Sequence, residues 1–455
     1  MKHSRNPKHA PACWALGLVT LWLGTAVALA APVKQKTLAN GLKVLVKQDQ
    51  RAPIVVSQVW YKVGSSYEPN GLTGLSHMLE HMMFKGTETL APGEFSRIIA
   101  EHGGQENAFT GRDYTAYFQT LEKSHLETSF KLEADRMRHL KLTKEELVKE
   151  LEVVHEERRM RTEDNPNARL QEYFMATAFT NSPYKHPIIG WPADIQAYQV
   201  EDLKTWYQRW YAPNNATLVV AGDVDPAQVF QLAEQYFGPL KAEPVAPMKP
   251  QTEQPQLGRR FLELNIPAKL PYLLMGFKVP TLMTAEQDWE PYALEMLTAI
   301  LDGGRSSRLT SRLVRGQQLA VSVGAGFNMH ARLADLFMLE GVPAQAQTLK
   351  TLEEALWAEI RQLQTEPVSA AELARVKAQV VASDVYEQDS LFYQAMKLGM
   401  LETIGLDYSR ADQYVQRIEQ VTAEQVQAVA SKYLTDTTVT VAYLQPQAMA
   451  AEATK

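Results

Sequence analysis

The chain has 455 residues, a formal net charge of −6 and 45% hydrophobic residues. This length is enough for two or more domains with sizeable cores. The acidic balance argues against nucleic acid as a main partner, so we expect none. A single cysteine, Cys13, excludes a disulfide within the chain.

The first 30 residues have the three-part layout of a secretory signal peptide. Basic residues come first, an apolar run follows over residues 12–29, and the small residues Ala28 and Ala30 precede a cleavage point. We therefore predict that residues 1–30 direct export to the periplasm and are then removed, which leaves no stable membrane anchor. The alternative is an uncleaved anchor, because the apolar run is close to the length that spans a bilayer.

Strands and helices are mixed through the first half of the chain. Runs rich in β-branched and aromatic residues predict strands, and amphipathic runs predict helices. The predicted elements, in order, are strands over Gly41–Val46 and Ile54–Tyr61, a helix that contains His77 and His81, a helix over Pro92–His102, a strand over Tyr114–Leu121, and helices over Ser124–His139 and Thr143–Arg161.

A helix followed by a strand closes each half of the chain. The predicted pair over Val200–Trp210 and Ala216–Ala221 is repeated over Thr422–Tyr433 and Val439–Leu444. This faint repeat predicts an α+β protein with two related halves.

Five prolines fall within residues 239–258, a spacing that suits neither a helix nor a central strand. We interpret this stretch as an extended linker. It would separate an N-terminal metal-binding domain, residues 31–238, from a C-terminal domain, residues 259–455.

The stretch that contains His77, Glu80 and His81 has the spacing of a metal-binding helix. Residues four apart lie one turn apart on the same helical face, so both imidazoles can bind one ion. Glu80 lies beside that ion without having to be a ligand. The order H-x-x-E-H is the inverzincin signature of zinc peptidases. Two histidines that fall four apart by chance are the alternative.

A catalytic zinc site needs a third protein ligand, and the helix that begins at Thr143 offers one. Glu150 and Glu157 are seven residues apart and fall within the apolar sector that contains Leu147 and Val154. Two unpaired carboxylates on a buried face are costly unless a cation offsets them. We assign Glu157 as the third ligand and Glu150 as a partner behind the ligands. Ion pairing of both with arginines is the alternative.

Taken together, these residues resemble the pitrilysin/insulinase family of zinc metallopeptidases, in the small bacterial form that is similar to mitochondrial processing peptidase. The motif over residues 77–87, HMLEHMMFKGT, and Glu157, which lies 76 residues after His81, match the family pattern. The resemblance implies one Zn²⁺ per chain, Glu80 as the general base, and two domains that each consist of a mostly antiparallel sheet covered by helices. It also implies that Asn107, Ala108 and Phe109 present a strand edge to the peptide substrate. For Asn107, the alternative is a turn residue that caps its own backbone.

The second half departs from the family pattern. Members with a complete site carry an Arg and, seven residues later, a Tyr, whereas Val314 and Val321 stand at these positions here, with Arg315 one residue late. That pair is thought to bind the substrate and stabilise the oxyanion. We therefore expect the chain to be the zinc-bearing subunit of a two-chain endopeptidase, half of a clam-shell chamber whose homologous inactive partner supplies the Arg and Tyr.

Two other interpretations remain open from the sequence. One is a non-catalytic assembly or chaperone-like subunit that keeps the fold. The other is a stand-alone homodimeric peptidase in which another donor, such as Tyr67 or Tyr114, replaces the missing phenol. His155, two residues before Glu157 on the helix, is expected to point away from the metal. It is grouped with the histidines that are expected to be structural or exposed: His102, His125, His139, His186 and His330.

Overall fold

Two mainly antiparallel sheets form the framework of the protein in a computed structural model, which describes residues 32–447. The first sheet has the order β1-β2-β6-β3-β5-β4, and only its β2–β6 pair is parallel. Its strands are β1 (Lys34–Thr37), β2 (Lys43–Gln48), β3 (Ile54–Tyr61), β4 (Gln105–Thr110), β5 (Thr115–Glu122) and β6 (Ala216–Gly222).

The second sheet repeats this topology. Its order is β7-β11-β8-β10-β9, and only the β7–β11 pair is parallel. The strands are β7 (Arg260–Pro267), β8 (Tyr272–Val279), β9 (Ala320–Gly326), β10 (Asp335–Pro343) and β11 (Val439–Gln447). Apart from the additional edge strand β1, each strand of the first sheet has a counterpart in the second. The α+β fold with two related halves is thus confirmed.

Helices cover both sheets. Those of the N-terminal half are α1 (Leu75–Met82), α2 (Glu94–Glu101), α3 (Leu126–Arg138), α4 (Lys144–Arg158), α5 (Pro166–Ala178), α6 (Pro192–Ala197), α7 (Val200–Trp210) and α8 (Pro226–Tyr236). Those of the C-terminal half are α9 (Glu290–Asp302), α10 (Leu349–Thr365), α11 (Ala370–Glu387), α12 (Leu391–Ile404), α13 (Arg410–Gln420) and α14 (Ala423–Tyr433). The repeated pairs α7–β6 and α14–β11 agree with the predicted repeat.

Several predicted boundaries differ from the structure, and two of the differences have a clear physical cause. The strand expected from Gly41 begins at Lys43, because Gly41 has a left-handed φ of 89° and belongs to the preceding turn. The helix expected over Thr143–Arg161 is α-helical only to Arg158 and continues as a wider π-helical turn over Arg159–Glu163.

One helix of each half packs on the sheet of the other half. Helix α5 packs on the second sheet, where Phe174 lies in a buried cluster with Leu274 and Ala442. Helix α12 packs on the first sheet, where Leu398 lies in a buried cluster with Trp60. Both sheets are therefore covered on one face by their own helices and on the other by an exchanged helix.

Glycine allows the close approach at each exchanged helix. A Cβ at Gly399 of α12 would lie 2.2 Å from Nε1 of Trp60, and a Cβ at Gly276 of β8 would lie 2.7 Å from Cζ of Phe174. Real Cβ atoms do not approach neighbours this closely, so any larger residue must displace an aromatic ring.

The segment between the halves has no helix or strand over residues 241–257. It is nevertheless anchored, because the Glu253 carboxylate accepts hydrogen bonds from the backbone N–H groups of Thr180, Asn181 and Ser182 and from Lys278 Nζ at 2.6 Å. The exact domain boundaries stay a prediction.

No helix within residues 32–447 is long and apolar enough to cross a bilayer. The signal peptide predicted over residues 1–30 lies outside the described residues.

Candidate metal centre

Helix α1 carries the H-x-x-E-H residues, and its N-terminus is held by a buried carboxylate. Glu68 accepts the backbone N–H groups of Gly74 at 2.6 Å and Ser76 at 2.7 Å, which would otherwise lack helical partners. Burial raises the pKa of Glu68 to about 7, against the lowering effect of these two donors. Sequence analysis missed Glu68, because no local pattern connects it to a helix that begins several residues later.

Helix α4 brings the glutamates to α1. It begins as predicted at Thr143, whose hydroxyl accepts the N–H of Glu146. Leu147 and Val154 are buried in the core of the N-terminal half and fix the rotation of the helix. Glu150 and Glu157 consequently face α1.

His77, His81 and Glu157 converge on one point. Nε2 of His77 lies 3.6 Å from Oε1 of Glu157, and Nε2 of His81 lies 3.2 Å from Oε2 of the same carboxylate. One ligand atom from each residue lies within 4.8 Å of the other two, and no other such group occurs within residues 32–447. The structure thus brings the three predicted ligands together, although their role as ligands stays a prediction.

Glu150 sets the orientation of His81. Its Oε1 lies 2.8 Å from Nδ1 of His81, and its Oε2 lies 2.5 Å from Nζ of Lys85. A proton held on Nδ1 by this carboxylate leaves the Nε2 lone pair directed at the point of convergence. Lys85 is an unpredicted member of the site, which lies in the same motif just beyond the end of α1.

The electrostatics of this cluster favour a cation. Burial lowers the pKa of His81, but the hydrogen bonds to Glu150 and Glu157 outweigh it and raise the pKa to about 9. Hydrogen bonds from His77 and His81 hold the pKa of Glu157 well below its usual range. Two imidazoles and a carboxylate are the donor set that zinc prefers in catalytic sites with an open position. The residues present therefore fit a zinc ion.

Glu80 lies on the same helix as the two histidines and lines the same cavity as Glu157. Thr110, the last residue of β4, donates a hydrogen bond from Oγ1 to Oε2 of Glu80 at 2.5 Å. Burial raises the pKa of Glu80, against the lowering effect of Thr110 and the histidines. Thr110 was not predicted, because its contact joins residues 30 apart in the chain.

An arginine stands at the outer side of the cluster. Arg161 in the π-helical turn after α4 places Nη1 2.5 Å from Oε1 of Glu157, while its side chain remains 74% exposed. This ion pair with an arginine is the alternative that the sequence left open for Glu157. It occurs together with the two histidine contacts and does not replace them.

Strand β4 forms the free edge of the first sheet beside α1. Asn107, Ala108 and Phe109 pair with β5 on one side, and no strand covers the other side within residues 32–447. The Asn107 Oδ1 accepts the N–H of Ala108 at 2.8 Å. The three residues thus occupy an available strand edge, and their contact with a substrate stays a prediction.

A cavity of about 1060 Å³ connects these elements. His77, Glu80, His81 and Glu157 line one part, and the strand edge from Asn107 to Thr110 lines another. The C-terminal half contributes Phe327, Leu336 and Met338. Arg112 and Asp335, joined by an ion pair, connect the two halves at the cavity wall. His186, expected to be structural or exposed, also lines this cavity.

The residues considered as replacements for the family's Arg and Tyr do not lie at the metal cluster. Tyr67 packs edge-on against Trp210, Tyr114 packs against Trp60, and neither lines the cavity. Val321 is 60% exposed on the edge strand β9, and Arg315 Nη2 donates to the backbone carbonyl of Arg305. The tyrosines proposed as replacements are therefore not positioned at the metal cluster.

Comparison with known proteins identifies the family of the chain. Residues 43–191 match the family model described as insulinase (peptidase family M16), and residues 197–380 match the model described as the peptidase M16 inactive domain. Zinc protease PqqE of Helicobacter pylori is 32% identical over 416 residues, which cover 90% of this chain and 92% of that protein. The names of such relatives support a zinc-dependent peptidase activity.

Solved structures show the same architecture. The crystal structure of a protease from Helicobacter pylori has a TM-score of 0.86 at 31% identity and covers 92% of this chain and 100% of that chain. The periplasmic protease PqqL from Escherichia coli matches with a TM-score of 0.76 at 20% identity. That match covers 93% of this chain and 50% of the PqqL chain, and it shows the fold alone. This chain belongs to the insulinase family of peptidases, family M16.

Proposed function

We propose that this chain is a periplasmic zinc endopeptidase that cleaves short or unfolded peptides as the zinc-bearing subunit of a two-chain enzyme. The observation that carries the proposal is the convergence of His77, His81 and Glu157 beside Glu80, at the wall of a cavity that also contains a free strand edge. A metal site with only a structural role needs neither a neighbouring base nor an open cavity.

His77, His81 and Glu157 would hold the zinc ion. When bound, zinc acts as a Lewis acid that makes a water molecule acidic enough to attack at neutral pH. Glu150 supports the site through Nδ1 of His81 and is itself fixed by Lys85. Such partners behind the ligands orient the imidazole rings and hold their tautomers.

Glu80 serves as the general base. It accepts a proton from the attacking water and delivers it to the amine of the leaving peptide. Its raised pKa suits this exchange, because a carboxylate with a pKa nearer neutrality both accepts and returns a proton readily. The hydrogen bond from Thr110 to Oε2 leaves Oε1 free for the proton.

The substrate extends β4 as an added strand. Backbone hydrogen bonds to the edge from Asn107 to Phe109 bind any extended peptide and read its conformation more than its sequence. Before a peptide can bond to the N–H of Ala108, the Asn107 side chain must release it. Folded proteins do not offer such a free extended segment, so short or unfolded chains are the substrate class.

The second subunit provides the Arg and Tyr side chains that Val314 and Val321 replace in this chain. The family's Arg and Tyr are absent from these positions, and the cavity contains no replacement from Tyr67 or Tyr114. The PqqL chain, which is about twice as long as this match, supports an assembly of two such units. A homologous inactive chain fits this role, and a second copy of this chain is the other candidate. The sequence of residues 1–30 supports export.

The test measures zinc content and cleavage of a flexible fluorogenic peptide together. The chain is assayed alone and after mixing with a homologue that carries the Arg and Tyr but no H-x-x-E-H motif. We expect one zinc per chain, weak cleavage alone and a gain of about 10²- to 10³-fold on mixing, the usual value of an oxyanion donor. Full activity alone, without gain on mixing, contradicts the two-chain proposal. Zinc binding without any cleavage supports a non-catalytic subunit instead.

A further inference from the structure

A second cavity, of about 530 Å³, lies in the C-terminal half at the place that corresponds to the metal cluster. It is bounded by α9, α11, α12 and α13, and by the segment after β9. The metal cluster has α1 and α4 at the equivalent positions of the repeated topology. The second cavity is thus a counterpart of the first in a duplicated framework.

The helix caps give the correspondence residue by residue. Thr143 caps α4 and Ser369 caps α11 in the same way, each accepting the backbone N–H three residues later. Glu157 lies fourteen residues after its cap, and Ser383, at the same distance from Ser369, lines the second cavity. Val376 stands in the place of Glu150. Valine and serine cannot replace these carboxylates as metal ligands or as their partners, so these positions of the second cavity do not form a metal site.

Four carboxyl groups line this cavity against one cationic side chain. Asp384 forms an ion pair with Lys397, and Asp302 accepts the backbone N–H of Ala325 at 3.2 Å. Glu295 and Glu387 make no ion pair within residues 32–447. Burial raises the pKa of Glu295 to about 7, and the charge of Glu387 acts in the same direction.

The histidine of this cavity does not balance the negative charge. Burial lowers the pKa of His330 to about 4, and the charge of Lys397 adds to the effect. His330 is therefore neutral at physiological pH. Asp302, Glu387 and the ionised fraction of Glu295 therefore leave the cavity with more negative than positive charge.

Apolar and aromatic side chains also line the cavity, beside the polar residues Thr298, Asn328, Gln379 and Ser383, which distinguishes it from an acidic surface patch. Thioethers and aliphatic side chains accommodate flexible carbon chains, and aromatic faces attract cations. The apolar and aromatic lining includes Phe327, Met329, Val380, Tyr393, Met396, Met400 and Tyr414. Lys397 already lies over the Tyr414 ring, with Nζ 4.9 Å from its centroid.

We propose that this cavity binds an organic cation, an alkyl ammonium or guanidinium group, with Glu295 and Glu387 facing the charge and the methionine and aromatic walls enclosing the carbon chain. Binding of this cation is separate from the zinc chemistry that we propose for the first cavity. The two cavities share Phe327 and Asn328 as a common wall. The cation therefore comes either from a basic side chain of a peptide that occupies the first cavity or from a free small amine.

Calorimetric titration of agmatine into the full chain tests the proposal. The Glu80→Gln variant is used, so that binding is measured independently of cleavage and a failure of the proposed peptidase function leaves the result interpretable. We expect saturable binding of one agmatine per chain. The neutral isostere N-pentylurea should bind at least about tenfold more weakly, because hydrogen bonds to charged groups are worth that much.

Variants locate the site. Glu295→Gln and, as a second and more exposed position, Glu387→Gln should each weaken agmatine binding by about tenfold or more. Glu354→Gln, an exposed change on α10 away from the cavity, should leave binding unchanged. Absence of saturable binding, equal binding of the neutral isostere, or full binding by both cavity variants overturns the proposal.

A kinetic comparison identifies the source of the cation, and this arm alone rests on the proposed peptidase function. Two peptides are cleaved by the active enzyme, one with a lysine several residues from the cleaved bond and one with norleucine at that position. If the lysine occupies the second cavity, agmatine and Glu295→Gln raise KM for the lysine peptide only. If they raise KM for neither peptide while agmatine still binds, the ligand is a free small amine.

Discussion

The N-terminal and C-terminal halves have the same five-strand order, but within residues 32–447 only the N-terminal half has side chains that can hold a metal. The difference lies on two helices. Where α4 has Glu150 and Glu157, α11 has Val376 and Ser383, although both helices begin with the same cap. A framework can therefore be kept by its core and caps while the chemistry of one helix face changes completely.

The two halves are also unequal in how each cavity is closed. The first cavity takes walls from both halves, and the ion pair between Arg112 and Asp335 joins them there. The second is lined by the C-terminal half alone. The C-terminal half thus contributes to the proposed active site as a wall, while it retains a cavity of its own.

The largest expected effect tests the ligand that separates α4 from α11. Glu157→Ala should remove most of the bound zinc and abolish cleavage, because two histidines alone leave the ion with too few protein ligands. Metal analysis and peptide cleavage measure the two effects. His155→Ala, on the same helix but outside the cluster, is the matched control and should keep its zinc. Equal zinc in both variants means that Glu157 is not a ligand.

A smaller effect is expected for the base. Glu80→Gln should keep zinc and reduce kcat by about 10²- to 10⁴-fold, because the amide cannot accept a proton. Metal content and kcat are measured on the same sample. Glu152→Gln, an exposed change on α4, serves as the control for loss of one negative charge. If kcat is retained in Glu80→Gln, the proposed mechanism is wrong.

The hydrogen bond that orients this base should contribute less than the base itself. Thr110→Val should lower kcat by about 10- to 100-fold with little change in KM, since a hydrogen bond to a charged group is worth about 1.5 to 3 kcal/mol. Thr110→Ser restores the hydroxyl and should recover most of the activity. A change confined to KM, or no rescue by serine, argues against a positioning role.

Sequence analysis predicted the metal helix, the third glutamate and the repeated halves because each depends on local periodicity or spacing. Thr110, Glu68 and Lys85 were not predicted as parts of the site. Thr110 and Glu68 act through tertiary contacts that local sequence does not encode. Lys85 lies within the motif, but its contact with Glu150 joins the turn after α1 to helix α4.

The exchange of α5 and α12 was not predicted either, for a different reason. An amphipathic helix has an apolar face whichever sheet it covers, so its pattern in the sequence does not identify the partner. Phe174 and Leu398 look like ordinary core residues of their own halves. Only the assembled structure shows that each lies against the sheet of the other half.

Paired glycine variants test the symmetry of this exchange. Gly399→Ala and Gly276→Ala should each lower the free energy of unfolding by about 1 to 3 kcal/mol, because the new methyl group overlaps Trp60 or Phe174. Chemical denaturation measures the loss. Gly71→Ala is unsuitable as a control because of its left-handed φ, whereas Gly326→Ala meets no neighbour and should be nearly neutral. A large loss at one site only would show that the two exchanges are not equivalent.

The smallest expected effect concerns Glu253, whose carboxylate anchors the segment between the halves. Burial raises the pKa of Glu253, but Lys278 and the backbone donors outweigh it and lower the pKa to about 2. Burial lowers the pKa of Lys278, and its hydrogen bond to Glu253 acts in the opposite direction. A lowered folded pKa gives stability that is present above the ordinary value of 4.5 and lost as the pH falls toward 2.

Glu253→Gln should therefore cost about 1 to 2 kcal/mol at pH 7 and progressively less below pH 4.5. Denaturation midpoints of both proteins across this range provide the measurement. If the stability difference between the two proteins does not shrink at low pH, the charge of Glu253 contributes nothing to stability.

The helix exchange has a consequence for how the chain is made. The outer face of the first sheet has no cover until α12, ending at Ile404, has left the ribosome, and β11 is the last described strand although it lies inside the second sheet. The first sheet therefore waits for a helix of the C-terminal half, whereas α5, which covers the second sheet, has already been synthesised. In the export that we propose, the chain would reach a channel before its cores have closed, and threading through that channel would not require prior unfolding of a completed domain.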